Sequence, residues 1–232
     1  MTIAQNCSFC GILPVNKSKN CTSFHLVHLL RKRTGIEKIG HAGTLDPFAT
    51  GVMVMLIGRD YTRLSNQFLY ADKEYRGMIR LGQTTNTFDI DGQILTHSDH
   101  IPSLFDVEQA LLSFQGDCQQ IPPMFSAKKI GGQKLYDLAR KGLSVERAPT
   151  TVCLHTTLIR YEYPHIELHI TCSKGTYIRS LAHDLGQLLH AGGFLSALSR
   201  TRSGTFKLSD CIEQENISNS NFDIAPFIRR TI

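Results

Sequence analysis

The residues that could do chemistry gather first in one short stretch, Gly40-His41-Ala42-Gly43-Thr44-Leu45-Asp46-Pro47-Phe48-Ala49-Thr50-Gly51. Pro47 restricts the residue before it to extended backbone, so Asp46 is turned out of any helix. The glycines on either side let a ligand approach the backbone closely. Such a loop can present one carboxylate into a cleft, with His41 five residues upstream. Asp-Pro is also a common turn opener, and on spacing alone a plain turn is the better reading.

Metal chemistry finds little support. Cys7-x-x-Cys10 with Cys21 offers one metal-like pair, but no second pair or histidine partner follows at suitable spacing. Asp89-x-Asp91-Gly92 fails as a calcium loop, because Gly92 as sixth residue would put Thr87 first and Ser98 twelfth. His165 and His169 share a strand face, where packing or solvent is the ordinary reading. No metal is expected.

The elements that must position the loop can be read coarsely. Gly11 to Val15 is a short apolar strand. Thr22 and Ser23 can cap a helix in which Phe24, Val27 and Leu30 recur, ending near Gly35 after Arg31 to Arg33. Val52 to Ile57 reads as a buried strand, and alternation from Tyr75 to Leu81 as another. Asp91-Gly92 signals a hairpin turn. Helices are expected over Asp106 to Phe114, Gln133 to Lys141 and Thr176 to His190, each closed by a following glycine. Strands are expected over Val152 to Tyr161, His165 to Cys172 and Leu198 to Leu208. Without regular βαβ alternation, the fold class is α+β with an antiparallel or mixed sheet.

Composition sets bounds. The chain has 232 residues, 41% hydrophobic and 19% charged, which excludes collagen-like, coiled-coil and strongly disordered classes. Lys and Arg number 25 against 20 Asp and Glu, a net +5 that suits a nucleic-acid partner without requiring one. The run Val52 to Ile57 is too short to span a bilayer. The seven cysteines (Cys7, Cys10, Cys21, Cys118, Cys153, Cys172 and Cys211) are scattered and odd in number. Met1 to Asn6 lack a basic start and an apolar core. A soluble, cytoplasmic protein with free thiols is expected.

At the Gly40–Gly51 segment the chain closely resembles the TruB family of tRNA pseudouridine synthases, whose loop reads G-H-x-G-T-L-D-P-x-A-x-G. Further blocks follow in order. Lys73-Glu74-Tyr75-Arg76 with Arg80-Leu81-Gly82 resembles the second motif, and Asp89 to Gln93 the acidic hairpin. Pro122 to Ala127 with Lys134-Leu135-Tyr136 and Ala139-Arg140 resembles the next block. Ser173 to Leu181 resembles the arginine motif, and Leu198 to Gly204 the last. Six ordered motifs cover about Gly11 to Asp210. One departure is Asn16-Lys17-Ser18, where the family usually carries aspartate, lysine and proline.

The resemblance implies isomerisation of uridine 55 in the tRNA T-loop to pseudouridine. The C1′–N1 bond must break and a C1′–C5 bond form, with no cofactor, and one ionised carboxylate suffices as nucleophile at C1′ or C6. It implies Asp46 as that nucleophile and Arg179 as the cation that keeps it ionised and oriented. Tyr75 would stack on the target base near the C5 proton, Tyr177 and Leu198 would line the pocket, and His41 would help hold the T-loop with the nucleotide flipped out. Arg63 stands where many relatives carry lysine. Lys128, Lys129, Lys134, Arg140 and Lys141 are candidate phosphate contacts.

Implied too are a central sheet with outer helices and an RNA cleft. Partners would be the tRNA T-arm alone, with no membrane and no obligatory protein partner, for a monomer. Residues 1–210 read as the catalytic domain and 211–232 as a short tail without the family's C-terminal PUA domain. The rivals are a subunit of the H/ACA-guided type and a non-catalytic RNA-binding or tRNA-folding protein; the short chain argues against the first, the intact Asp46, Tyr75 and Arg179 set against the second.

Overall fold

A threonine starts the first helix. The Thr22 side chain accepts from the His25 N–H, while Gly35 closes the far end in a left-handed conformation at φ 71°. The structure is a computed structural model and describes residues 8–230. Cys7 lies outside the described residues.

In chain order the elements begin with β1 (Gly11–Lys17), α1 (Ser23–Thr34), β2 (Ile39–His41), β3 (Thr50–Ile57), α2 (Arg59–Thr62), α3 (Ser65–Tyr70) and β4 (Lys73–Leu81). Then come β5 (Gln83–Thr85), β6 (Ile94–His97), α4 (Leu104–Leu111), β7 (Gly116–Gln120), β8 (Lys129–Ile130), β9 (Gln133–Lys134) and α5 (Leu135–Arg140). The rest are β10 (Thr150–Glu162), β11 (His165–Cys172), α6 (Ile178–Leu188), β12 (Gly193–Ser203), β13 (Phe206–Lys207), β14 (Ile212–Glu213) and α7 (Gln214–Ser218). The class is α+β, as the irregular mixture of elements predicts. Among the described residues no helix is long and apolar enough to cross a membrane.

Two compact units divide the chain, one up to Glu74 and from Ser199 onward, the other from Tyr75 to Leu198. In the first, β1 runs antiparallel to β3 from Gly11↔Ile57 to Lys17↔Gly51, and β14 lies parallel on β1. The other edge of β3 is shared: β2 pairs antiparallel with its end, Ile39↔Ile57 to His41↔Met55, and β12 lies parallel at its start, Ser199↔Thr50 and Arg200↔Gly51. Ile12, Val52, Val54, Leu56, Phe68 and Phe206 form the core. Residues past Asp210 are part of this unit, supplying β14 and α7, and α7 packs on α1.

The second unit has strand order β4-β11-β10-β7, antiparallel from β11 to β7, with the small hairpins β5–β6 and β8–β9 beside it. Helix α6 turns Ile178, Leu181, Ala182 and Leu185 inward. It is shorter than the Thr176–His190 helix that its composition predicts, because the Gln120 side chain holds the Tyr177 backbone outside the helix. The predicted helix from Gln133 begins only at Leu135, since Gln133 and Lys134 pair with Lys129 and Ile130 across Gly131-Gly132. The strand expected over Leu198 to Leu208 is instead β12 from Gly193 to Ser203, with β13 folded back on it.

Candidate active site

The loop from Ala42 to Ala49 joins β2 to β3, running from His41, opposite Met55, to Thr50, where β12 attaches. Its apolar residues Ala42, Leu45, Phe48 and Ala49 are buried, which leaves Asp46 held between two anchored neighbours. The Asp46 carbonyl accepts from the Ala49 N–H at 3.1 Å, so the segment is the Asp-Pro turn that its spacing suggests. The turn and the presentation of a carboxylate are one structure.

Ser23, at the start of α1, grips the residue before Asp46 from both sides. Its Oγ accepts from the Leu45 N–H at 3.0 Å and donates to the Leu45 carbonyl at 3.0 Å. The residue after Asp46 is gripped too: the Pro47 carbonyl accepts from the Asn20 N–H at 2.8 Å and from Lys17 Nζ at 3.2 Å. Lys17 is fully buried and also donates to the carbonyls of Ser18 and Cys21. Burial pushes its pKa down, while the charges of Cys21 and Asp46 work against that shift.

Arg200 closes the frame from β12. Its side chain is buried, its Nε donates to the Val52 carbonyl at 2.7 Å and its Nη2 to the Gly43 carbonyl at 3.1 Å. Its backbone passes so near Gly51 that a Cβ there would sit 2.3 Å from the Arg200 oxygen, at a φ of +106°. Only glycine fits. His41 lies beside this cation. Burial, and secondarily Arg200, push the imidazole pKa down, which favours the neutral ring. Its Nδ1 is buried with no hydrogen-bond partner among the described residues. Arg63 stands apart from this frame: its exposed guanidinium pairs with Asp60 at 3.7 Å, one turn back on α2.

The remaining site residues expected from the sequence belong to the second unit. Tyr75 points to the buried face of β4 with Gly77, Ile79 and Leu81. Gly77 abuts Leu198, where an added Cβ would lie 3.7 Å from the leucine Cδ1, so Tyr75 and Leu198 share that face. Tyr177 precedes α6, and the buried Gln120 holds its backbone at both ends, accepting from the N–H at 2.7 Å and donating to the carbonyl at 3.0 Å. Arg179, in the first turn of α6, is 6% exposed. Its Nη1 meets Asp89 Oδ2 at 3.4 Å and its Nη2 donates to the Phe125 carbonyl at 2.8 Å.

Asp89 is itself fixed. Its Oδ1 accepts from Thr87 Oγ1 at 2.6 Å and from the Asp91 N–H at 3.1 Å, and its carbonyl accepts from Thr85 Oγ1 at 2.8 Å. The hairpin signalled by Asp91-Gly92 is present: strands β5 and β6 pair antiparallel, and the loop 86–93 that joins them contains that dipeptide. Among the described residues no three His, Cys, Asp or Glu side chains gather as a metal site, and no disulfide links the cysteines.

Sequence reasoning missed Ser23, Arg200 and Gln120, and noted the Lys17 segment only as a departure from the family pattern. The signal for Arg200 was present, a charged residue two after Leu198 in an alternating strand and therefore facing the same buried side. Ser23 and Gln120 carry no such mark, because their partners are backbone atoms far along the chain.

Known proteins resemble this chain over most of its length. The model described as TruB family pseudouridylate synthase (N terminal domain) matches residues 31–178, and that described as tRNA pseudouridylate synthase B C-terminal domain matches residues 179–224. The chain is 54% identical over 219 residues to tRNA pseudouridine synthase B of Chlamydia pneumoniae, covering 94% of this chain and 93% of that one. It is 58% identical over 207 residues to the protein of the same name from Protochlamydia amoebophila (strain UWE25), covering 89% and 79%. A solved structure of a Cbf5-Nop10-Gar1 complex aligns with TM-score 0.71 and 27% identity over 90% of this chain, which spans 54% of that protein. The chain thus belongs to the TruB family of pseudouridylate synthases.

Proposed function

We propose that the protein converts uridine 55 of the tRNA T-loop to pseudouridine, with Asp46 as its nucleophile. The observation that carries this reading is the Gly40–Gly51 loop, in which both neighbours of Asp46 are fixed by hydrogen bonds, those to Leu45 fully buried. Preorganised placement of a reacting group is what lowers the barrier of an otherwise slow attack. Asp46 attacks C1′ or C6, the C1′–N1 bond breaks, the freed uracil turns, and C5 bonds to C1′ with loss of the C5 proton. Tyr75 supports the base by stacking, with its hydroxyl near that proton, while Tyr177 and Leu198 wall the pocket. Arg179 is the cation for the carboxylate, and a neutral His41 contacts the loop around the flipped nucleotide. Arg63 is assigned to a backbone phosphate.

The basic segment around β8, β9 and α5 suits phosphate contact. Lys128, Lys129, Arg140 and Lys141 are exposed, and Tyr136 lies under both Lys134 and Arg140, at 5.2 and 5.4 Å from its ring centre. We place the reaction in the cytoplasm, on the T-arm, without a guide RNA or partner protein.

The test is the purified chain alone with an unmodified tRNA transcript carrying tritium at uridine C5. Release of tritium that disappears when uridine 55 is replaced by cytidine is the expected result. Release that persists with the replaced transcript overturns the choice of uridine 55; no release without a partner overturns the stand-alone reading.

A further inference from the structure

Phe88 is out of place by ordinary backbone rules. Its φ is +64°, a left-handed conformation that is strained for a bulky residue and persists only where its surroundings enforce it. It stands between the two residues of this unit's 86–93 loop that meet Arg179: the Thr87 carbonyl accepts from Nη1 at 3.4 Å, and Asp89 Oδ2 lies 3.4 Å from the same nitrogen. The left-handed step at Phe88 lets both neighbours turn toward one guanidinium.

The Phe88 ring has its own partner. It stacks on the imidazole of His183 with centroids 3.9 Å apart and planes 13° from parallel. His183 is four residues beyond Arg179 on α6, so the two side chains lie on the same face, one turn apart. The His183 Nδ1 is buried without a hydrogen-bond partner among the described residues, and burial pushes the imidazole pKa down, which favours the neutral ring; stacked on Phe88, that ring serves as a flat plate. The loop is therefore tied to α6 twice, by an ion pair at Asp89 and by a ring stack one turn further on.

We propose that the Phe88–His183 stack is a positioning device for Arg179, holding the strained turn that aims the Thr87 carbonyl and the Asp89 carboxylate at its guanidinium. The proposal rests on the proposed function, in which Arg179 serves the reacting carboxylate. Neither ring touches substrate; both act through Asp89 and Thr87. A stack that mattered only for packing would change melting temperature and leave turnover of the folded protein alone.

The test uses the full chain in single-turnover tritium release at saturating tRNA, with tRNA affinity by filter binding and folding by melting temperature, below which all rates are measured. His183→Ala and Phe88→Leu are expected to slow the chemical step tenfold or more, with tRNA affinity held within threefold. His183→Phe, which keeps the plate and removes the orphan nitrogen, is expected to recover most of the rate lost in His183→Ala. Phe88→Gly relieves the backbone strain but removes the ring, and is expected to be as slow as Phe88→Leu.

Wild-type rate in folded His183→Ala overturns the proposal, as does His183→Phe being as slow as His183→Ala. If His183→Ala does not fold, the comparison rests on His183→Phe and Phe88→Tyr, and a tenfold loss in both overturns it. Absence of release from the wild-type chain refutes the functional reading and this proposal together; release that the variants leave unchanged refutes the proposal alone.

Discussion

Replacing Ser23 with alanine removes one oxygen and strands two backbone groups. The Leu45 N–H and carbonyl each lose a 3.0 Å partner, in a place where Ser23 is 3% exposed and Leu45 is buried. A buried polar group left unpaired costs about 1–3 kcal/mol, so the pair costs about 3 kcal/mol after some relaxation. For a chain of this size each kcal/mol lowers the melting temperature by about 2–4 °C, which gives a drop of about 6–12 °C. Leu45 immediately precedes Asp46, so the slackened loop also misplaces the carboxylate. A loss of about 1.4–2.8 kcal/mol in barrier lowering is tenfold to a hundredfold in rate. The assay is single-turnover tritium release at a temperature where Ser23→Ala is fully folded, with tRNA affinity measured beside it. The expected pattern is a slower chemical step, affinity within threefold, and partial recovery in Ser23→Thr, which keeps the hydroxyl. Unchanged melting and unchanged rate in Ser23→Ala would refute the reasoning.

Other outcomes follow from the same geometry. Tyr75→Phe should keep tRNA binding while turnover drops steeply, and Tyr75→Leu should lose both; near wild-type turnover in Tyr75→Phe would remove the hydroxyl from the C5 proton step. Gly51→Ala places a Cβ 2.3 Å from the Arg200 carbonyl oxygen at a φ of +106°, and should destabilise the fold by more than about 4 kcal/mol in urea unfolding. Burial pushes the Asp184 carboxyl up from 3.8 to about 6. Its raised pKa favours the fold most below about pH 4, and that contribution is lost as pH rises through about 6. Asp184→Asn should therefore melt higher than wild type at pH 8, with the two curves converging toward pH 4. A gap that does not depend on pH would assign the effect to packing.

The elements that carry the candidate site were legible where their pattern is local in sequence. The turn at Asp46-Pro47 was legible in the spacing of Gly40 to Gly51 and the structure has it, whereas a role for Asp46 came only from the family resemblance of that segment. Tyr75 was legible as an inward position of an alternating strand, and the structure buries it there. The supports were not legible, for a physical reason. Ser23 acts on Leu45, 22 residues away, Gln120 on Tyr177, 57 away, and Arg200 on Gly43, 157 away. No periodicity encodes such pairs. The hairpin was legible in Asp91-Gly92, but local turn propensity gave no sign that its loop would turn the Asp89 carboxylate inward to Thr87 and Arg179. The division into units was hidden as well, since the first unit is made from both ends of the chain.

The central claim is that one carboxylate carries the reaction, and Asp46→Asn tests it most directly. The amide is nearly isosteric and keeps the turn, but it is not an anionic nucleophile. Single-turnover tritium release from C5-labelled tRNA is measured for wild type and variant at saturating enzyme, with tRNA affinity as the control. No release above background from Asp46→Asn, with affinity within a few-fold of wild type, is the predicted result. Turnover above background by Asp46→Asn would contradict the account.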